Sequence, residues 1–156
     1  MKTIILYATK YGGAAEVARL IAEQFDNAET YNIKSEDIPS LDDFEYVIFG
    51  SSVYAGSFRK EAKIFLTQNA DKLCNKKLGL FACGMSQDES TEIFRINIPE
   101  EVLKTAIAVC LPGGIFDPEK ANFFEKLVMK IITKQSGLIN SINEEKINEF
   151  AEAMKE

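Results

Sequence analysis

Residues 3–25 read TIILYATKYGGAAEVARLIAEQF. The stretch opens on a short apolar run, Thr3 to Ala8, that stops at the glycine-containing turn Thr9 to Gly13. A run of that length bounded by turn residues reads as a buried strand. From Ala14 the period changes. Val17, Leu20, Ile21 and Phe25 recur at helical spacing with Glu16, Arg19 and Glu23 between them, which predicts an amphipathic helix over 14–26. A buried strand leading through a tight turn into a helix with one apolar face is the repeating unit of an α/β fold.

The unit recurs along the chain. Ala28 to Ile33 alternates enough for an edge strand, Tyr46 to Gly50 is apolar throughout, and Lys77 to Cys83 and Ala106 to Leu111 read as further buried strands. Helices are expected over Arg59 to Ala70, Pro99 to Thr105, Asn122 to Lys134 and Glu144 to Lys155, the last with Ile147, Phe150, Ala151 and Met154 on one face. Apolar strands alternating with helices indicate a parallel sheet covered on both faces. No linker or repeat interrupts the pattern, so residues 1–156 read as a single domain. In such sheets ligands bind beyond the carboxyl ends of the strands, which directs attention to residues 9–14, 51–58 and 83–90.

Composition narrows the chemistry. Of 156 residues, 46% are hydrophobic and 27% charged, and none is histidine or tryptophan. Without histidine there is no Ser-His-Asp triad, no Cys-His pair, no His-ligated zinc and no imidazole proton shuttle. No catalytic residue and no metal-ligand set is assigned, and redox or group-transfer chemistry falls to a borrowed cofactor. The net charge of −6 repels nucleic-acid phosphates and suits partners with basic docking surfaces. Cys74, Cys83 and Cys110 lack CxxC spacing and fit a reducing cytoplasm, and the first residues lack the apolar core of a signal peptide.

Thr9-Lys10-Tyr11-Gly12-Gly13-Ala14 offers several backbone N–H groups and a helix N-terminus to one point, an arrangement that holds a phosphate without an arginine. Neither GxxxxGK[ST] nor GxGxxG is present, so nucleoside triphosphates and dinucleotides are not indicated. A tight turn can also use two glycines for geometry alone.

The string T-x-Y-G-G-A-A-E from Thr9 resembles the phosphate loop of the flavodoxin family, commonly [ST]-x-T-G-x-T. Thr9 stands at the first hydroxyl and Gly12 at the glycine. Tyr11 and Ala14 replace threonines, which leaves an FMN phosphate to Thr9 and the loop amides. Gly50-Ser51-Ser52-Val53-Tyr54-Ala55-Gly56-Ser57 resembles the loop that lines the isoalloxazine ring. There the resemblance implies Ser52, Val53, Tyr54, Ala55 and Gly56, with Tyr54 stacking where the family often has tryptophan. Gly56 would supply the peptide that turns a carbonyl towards flavin N5. Ala82-Cys83-Gly84-Met85-Ser86 resembles the family's G-C-G-D-S segment and implies Cys83, Gly84, Met85 and Ser86 on the other side of the ring. Phe94 is the nearest aromatic for the second face. The Cys83 thiol itself reads as a packing group, since no cation activates it. Asp88, Glu89 and Glu92 are either solvated loop acids or negative charge that lowers the last reduction potential.

The resemblance implies a flavodoxin-like three-layer α/β/α sandwich, a five-stranded parallel sheet in the order 2-1-3-4-5, noncovalent FMN, and electron transfer between redox partner proteins. Pro112 to Pro118, then Phe123 to Ile132 and Ser136-Gly137, resemble the branch that includes menaquinone-dependent protoporphyrinogen oxidase. That branch implies an alternative, a flavin-dependent dehydrogenase passing electrons to a quinone. A flavin-free binding domain of the same topology is a third reading. Within the tail the apolar pairs 123/124, 127/128 and 131/132 run beside Lys126, Lys130 and Lys134. Such a stripe either packs on the sheet or rests, over residues 120–134, on an anionic membrane surface. The need to cover both sheet faces favours packing.

Overall fold

A computed structural model describes residues 2–84, 91–133 and 137–156. Five parallel strands form the sheet: β1 (Thr3–Ala8), β2 (Ala28–Asn32), β3 (Tyr46–Tyr54), β5 (Lys77–Cys83) and β6 (Ala106–Cys110). Their order is β2-β1-β3-β5-β6, with the short antiparallel β4 (Ser57–Phe58) hairpinned onto β3. Setting β4 aside, this is the expected 2-1-3-4-5 order.

The strand period of two sends alternate residues to opposite faces. On one face Ile4, Leu6, Val47, Phe49, Leu78 and Leu80 are buried in one cluster with Ala62, Leu66, Leu73, Phe94 and Val102. Those partners come from α2 (Lys60–Gln68), α3 (Ala70–Leu73), α4 (Glu92–Asn97) and α5 (Glu100–Leu103). On the other face Ile5, Ile48, Phe81 and Cys110 meet Val17 and Ile21 of α1 (Gly13–Ala22) and Ile147, Phe150 and Met154 of α7 (Glu144–Lys155). Each layer buries one apolar stripe, which makes the sandwich.

Three expectations change. First, β3 continues to Tyr54 and turns into β4, where the sequence suggested a loop from Ser51. Second, β6 is an edge strand. Ile107 and Val109 are 47% and 38% exposed, and among the described residues only β5 pairs with it. Third, residues 111–143 leave the sheet before α7 begins. They form β7 (Ile115–Phe116), α6 (Phe123–Thr133) and β8 (Ile139–Asn140), with β7 and β8 paired as a separate two-stranded ribbon. The described half of the α6 stripe is not a sheet-covering face. Phe123, Leu127 and Ile131 are 83%, 46% and 69% exposed, and the side chains of Phe124, Val128 and Ile132 lie outside the described set.

Candidate functional site

Ala8 pairs with Ser51, and Ser52 pairs with Cys83. The ends of β1, β3 and β5 therefore stand at one level, and the loops that follow them converge. Gly12 has φ 91°, a left-handed conformation open to glycine at little cost. It reverses the chain so that its N–H donates to Thr9 Oγ1 at 3.0 Å and its carbonyl accepts from Glu16 N at 3.0 Å, starting α1. Among the described residues, nothing takes up the first-turn amides of Gly13, Ala14 and Ala15. They are the orphan donors of a helix N-terminus, backed by its dipole. Ser52 closes the other side: Lys10 N donates to Ser52 Oγ at 3.3 Å, and Ser52 Oγ donates to Thr9 Oγ1 at 3.5 Å. Two hydroxyls and a set of unspent amides thus share one concavity.

Gly13 is needed for a different reason. A Cβ there would lie 2.9 Å from the backbone N of Ile115, and a Cβ on Gly114 would lie 3.1 Å from Gly84 N. The first strand of the 111–143 excursion is laid directly against the first and third loops. Ser141 N donates to Gly114 O at 2.9 Å and holds the return leg in place.

The second loop is a two-residue hairpin turn. Ala55 has φ 51° and Gly56 φ 78°, the pair of positive values that a type I′ turn requires. Alanine adopts this conformation only with strain. Asn97, buried on α4, braces the turn: its Nδ2 donates to Gly56 O at 3.0 Å and its Oδ1 accepts from Phe58 N at 2.9 Å. The Gly56 carbonyl is therefore engaged, whereas among the described residues the Ala55 carbonyl takes no hydrogen bond. Asn97 carries no motif signal in the sequence. Tyr54 ends β3 half-buried, with Lys10 Nζ 4.8 Å from its ring centroid. Val53 lies below it, 3.5 Å from where a Cβ on Gly84 would stand.

In the third loop the Cys83 side chain points down into the core, and burial pushes its thiol well above the usual cysteine range. Only its backbone and Gly84 face the loops. Met85 and Ser86 lie outside the described residues, as do Asp88 and Glu89. Phe94 packs fully inside the core beneath α4; its ring fills space between helix and sheet and is not free to cover a cofactor.

Two groups absent from the sequence reading complete the site. Glu125 of α6 is only 6% exposed. Its Oε2 contacts Lys10 Nζ and accepts from Tyr11 Oη at 2.8 Å. Its Oε1 accepts from Asn122 N at 3.2 Å while Asn122 Oδ1 accepts from Glu125 N at 2.8 Å, a reciprocal cap on the helix. Tyr11 also meets Phe116 edge-on, with ring centroids 5.1 Å apart. Burial, then the charge of Arg59, push the Lys10 pKa down, and the touching Glu125 carboxylate works against that push. Arg59 is the second group. Its backbone N donates to Ser51 Oγ at 3.0 Å, and its buried Nε has no hydrogen-bond partner. A buried donor left in that state costs about 1–3 kcal/mol.

The Flavodoxin domain family matches residues 4–139. The chain belongs to the flavodoxin-domain family. Among relatives of this flavodoxin-domain protein, a flavodoxin from Clostridium saccharobutylicum is 27% identical over 128 residues, spanning 78% of this chain and 80% of its own. Protoporphyrinogen IX dehydrogenase (quinone) from Escherichia coli K12 is 19% identical over 148 residues, spanning 88% of this chain and 81% of its own. The crystal structure of Fusobacterium nucleatum flavodoxin bound to flavin mononucleotide superposes with TM-score 0.56 at 17% identity, over 99% of this chain and 98% of that one. The rubredoxin oxygen:oxidoreductase of Desulfovibrio gigas has TM-score 0.58 at 19% identity, and there the match spans 36% of the longer chain. Among the described residues, no helix of this flavodoxin-domain protein is long and apolar enough to cross a membrane.

Proposed function

We propose that the chain is an FMN-binding electron carrier. The observation that carries this is the convergence of the Thr9 and Ser52 hydroxyls on the unspent amides of Gly13, Ala14 and Ala15. The residues present fit a flavin nucleotide: the first two loops offer donors, and the Glu125 carboxylate that reaches them is held by Lys10, Tyr11 and Asn122. Lys10, Tyr11 and Gly12 shape the phosphate end. Ser52, Val53, Tyr54, Ala55 and Gly56 flank the ring on one side, and the backbone of Cys83 and Gly84 does so on the other, with Met85 and Ser86 continuing that loop. When bound, FMN supplies the electron-carrying ring. This chain's residues position it, exclude water, and offer the Ala55 carbonyl at a turn held between two positive-φ residues. The family assignment and the FMN-bound Fusobacterium relative support the choice of nucleotide.

The partners are redox proteins with basic docking surfaces, met in the cytoplasm; the net charge of −6 supports this by steering such encounters. The test is reconstitution with FMN. Bound-flavin absorbance and a rise in the thermal midpoint are expected, and their joint absence sinks the reading.

A second reading is favoured by α6. Its exposed Phe123, Leu127 and Ile131 stand among exposed Lys126 and Lys130, a pattern suited to an anionic bilayer surface. With the Escherichia coli relative, this supports electron transfer to a membrane quinone. Flotation with vesicles containing anionic lipid, alongside quinone reduction by the FMN-loaded protein, separates this reading from the soluble carrier.

A further inference from the structure

The hairpin of the second loop is too short to specify its own shape. Among the described residues its ladder has two pairs, Val53 with Phe58 and Tyr54 with Ser57, and an isolated ribbon is marginal in water even when longer. Its turn carries alanine, not glycine, at the first left-handed position, Ala55 with φ 51°. A strained residue persists only where its surroundings over-determine it.

Asn97 supplies that constraint from α4, 41 positions beyond Gly56, and it is only 7% exposed. Its Nδ2 donates to Gly56 O at 3.0 Å and to Ile93 O at 2.9 Å, and its Oδ1 accepts from Phe58 N at 2.9 Å. Both partners of the nitrogen are carbonyls and the partner of the oxygen is an N–H, so one orientation of the amide fits and its flip does not. A carboxylate in its place would face two carbonyls, and an apolar side chain would leave Gly56 O and Phe58 N unpaired. Where the hairpin ends, Arg59 N donates to Ser51 Oγ at 3.0 Å and ties down the departing strand. The Gly56 carbonyl is thereby taken up by the protein. Among the described residues Ala55 O, the middle carbonyl of the turn, is left without a hydrogen bond.

We infer that Asn97 is a positioning residue for the flavin ring: it holds the 54–57 turn in its left-handed form, occupies the Gly56 carbonyl, and leaves the Ala55 carbonyl as a fixed acceptor. This rests on the flavin reading above and deepens it. Two-electron reduction of a flavin adds a proton at N5, which turns an acceptor nitrogen into a donor. A carbonyl fixed beforehand on that side favours the reduced ring and opposes the lone pair of the oxidised one. Asn97 acts through the turn and does not itself touch the ring.

The experiment measures three things on the full chain, with circular dichroism to confirm that each variant is folded. Oxidised FMN is titrated by fluorescence quenching. The affinity for reduced FMN follows by linkage from the midpoint potential of the bound flavin. Urea unfolding is followed without flavin. Asn97→Ser keeps a hydroxyl for Ile93 O and gives up both bonds to the hairpin. It is expected to weaken reduced FMN about tenfold and oxidised FMN less than about threefold. Asn97→Ala should lose the same preference with a larger loss of stability. Ala55→Gly lets the turn form without strain, so the rise in the unfolding constant caused by Asn97→Ser should be at least about threefold smaller in a chain that also carries Ala55→Gly. Equal weakening of both redox states, or of neither, overturns the positioning role, because a residue that only stabilises α4 affects both alike. Additive effects of the two substitutions on unfolding overturn the hold of Asn97 on Ala55. Wild-type protein that binds FMN in neither state removes the flavin reading itself, and this inference with it, whatever the unfolding cycle shows.

Discussion

Helices α6 and α7 look alike as sequence and differ as structure. Both carry apolar residues at helical spacing with charges between them. α7 buries Ile147, Phe150, Ala151 and Met154 against the sheet and α1. α6 does the reverse: Phe123, Leu127 and Ile131 face outward while the carboxylate of Glu125 is buried. A hydrophobic pattern specifies that a face is apolar, not which surface it meets. α7 comes after the ribbon strand β8 and is drawn by burial onto the sheet face beside α1. α6 belongs to an excursion rooted on the loops, and what fastens it is a charged contact with Lys10 and Tyr11. One helix serves stability; the other is held at the site and leaves Phe123, Leu127 and Ile131 exposed.

The contrast can be broken most forcefully at Phe150. Phe150→Ala is expected to cost about 3–5 kcal/mol in urea unfolding; a loss below 1 kcal/mol would mean that α7 is not the structural helix. Next comes Glu125→Ala, which removes the anchor of α6 and leaves Lys10 half-buried without its partner. A loss of about 1–3 kcal/mol is expected, with faster proteolysis in 122–133 and the sheet core unchanged by hydrogen exchange.

A smaller effect sharpens the α7 side. Cys110 lies beneath α7, its Sγ 3.6 Å from Lys146 O, and burial pushes its thiol up to about 12. Its folded pKa is above its unfolded value near 8.5. The neutral thiol is therefore favoured by folding, and this contribution is complete below about pH 8.5 and declines as pH rises towards 12. Unfolding midpoints should fall with alkalinity above pH 9, and Cys110→Ser should flatten that slope. The smallest effect belongs to the α6 surface. Phe123→Ser, Leu127→Ser and Ile131→Ser should each change stability by less than about 0.5 kcal/mol, because side chains already in water lose little burial. If the triple variant unfolds at markedly lower urea, α6 is covered in solution.

What the sequence displayed and what it hid divide along the same line. The run Thr3 to Gly13 and the buried strands Tyr46–Gly50 and Lys77–Cys83 were legible because their signals are local: apolar runs, turn residues, helical spacing. Thr9, Gly12 and Ser52 could be named as neighbours because strand order brings their loops together. Glu125 was hidden because its meaning depends on Lys10, and Arg59 because an arginine opening a helix looks like a solvated charge. Phe94, named as the nearest aromatic for the second ring face, lies in the core instead, and periodicity over so short a helix does not reveal which way it points. Asn97 has no pattern at all; only the hairpin above it explains a buried amide there.

The contact between Gly13 and the backbone of Ile115 has a consequence for the order in which the protein takes shape. The loop that closes β1 is made well before the residues that follow β6, yet one of its walls is supplied by them. Local turns close quickly, while contacts across so long a separation wait for the chain between them to be arranged. A loop made before most of the sheet is therefore the last part of the site to be finished. Pulse labelling during refolding should find the Gly12 amide protected in step with that of Ser141, and after the amides of β1 and β3.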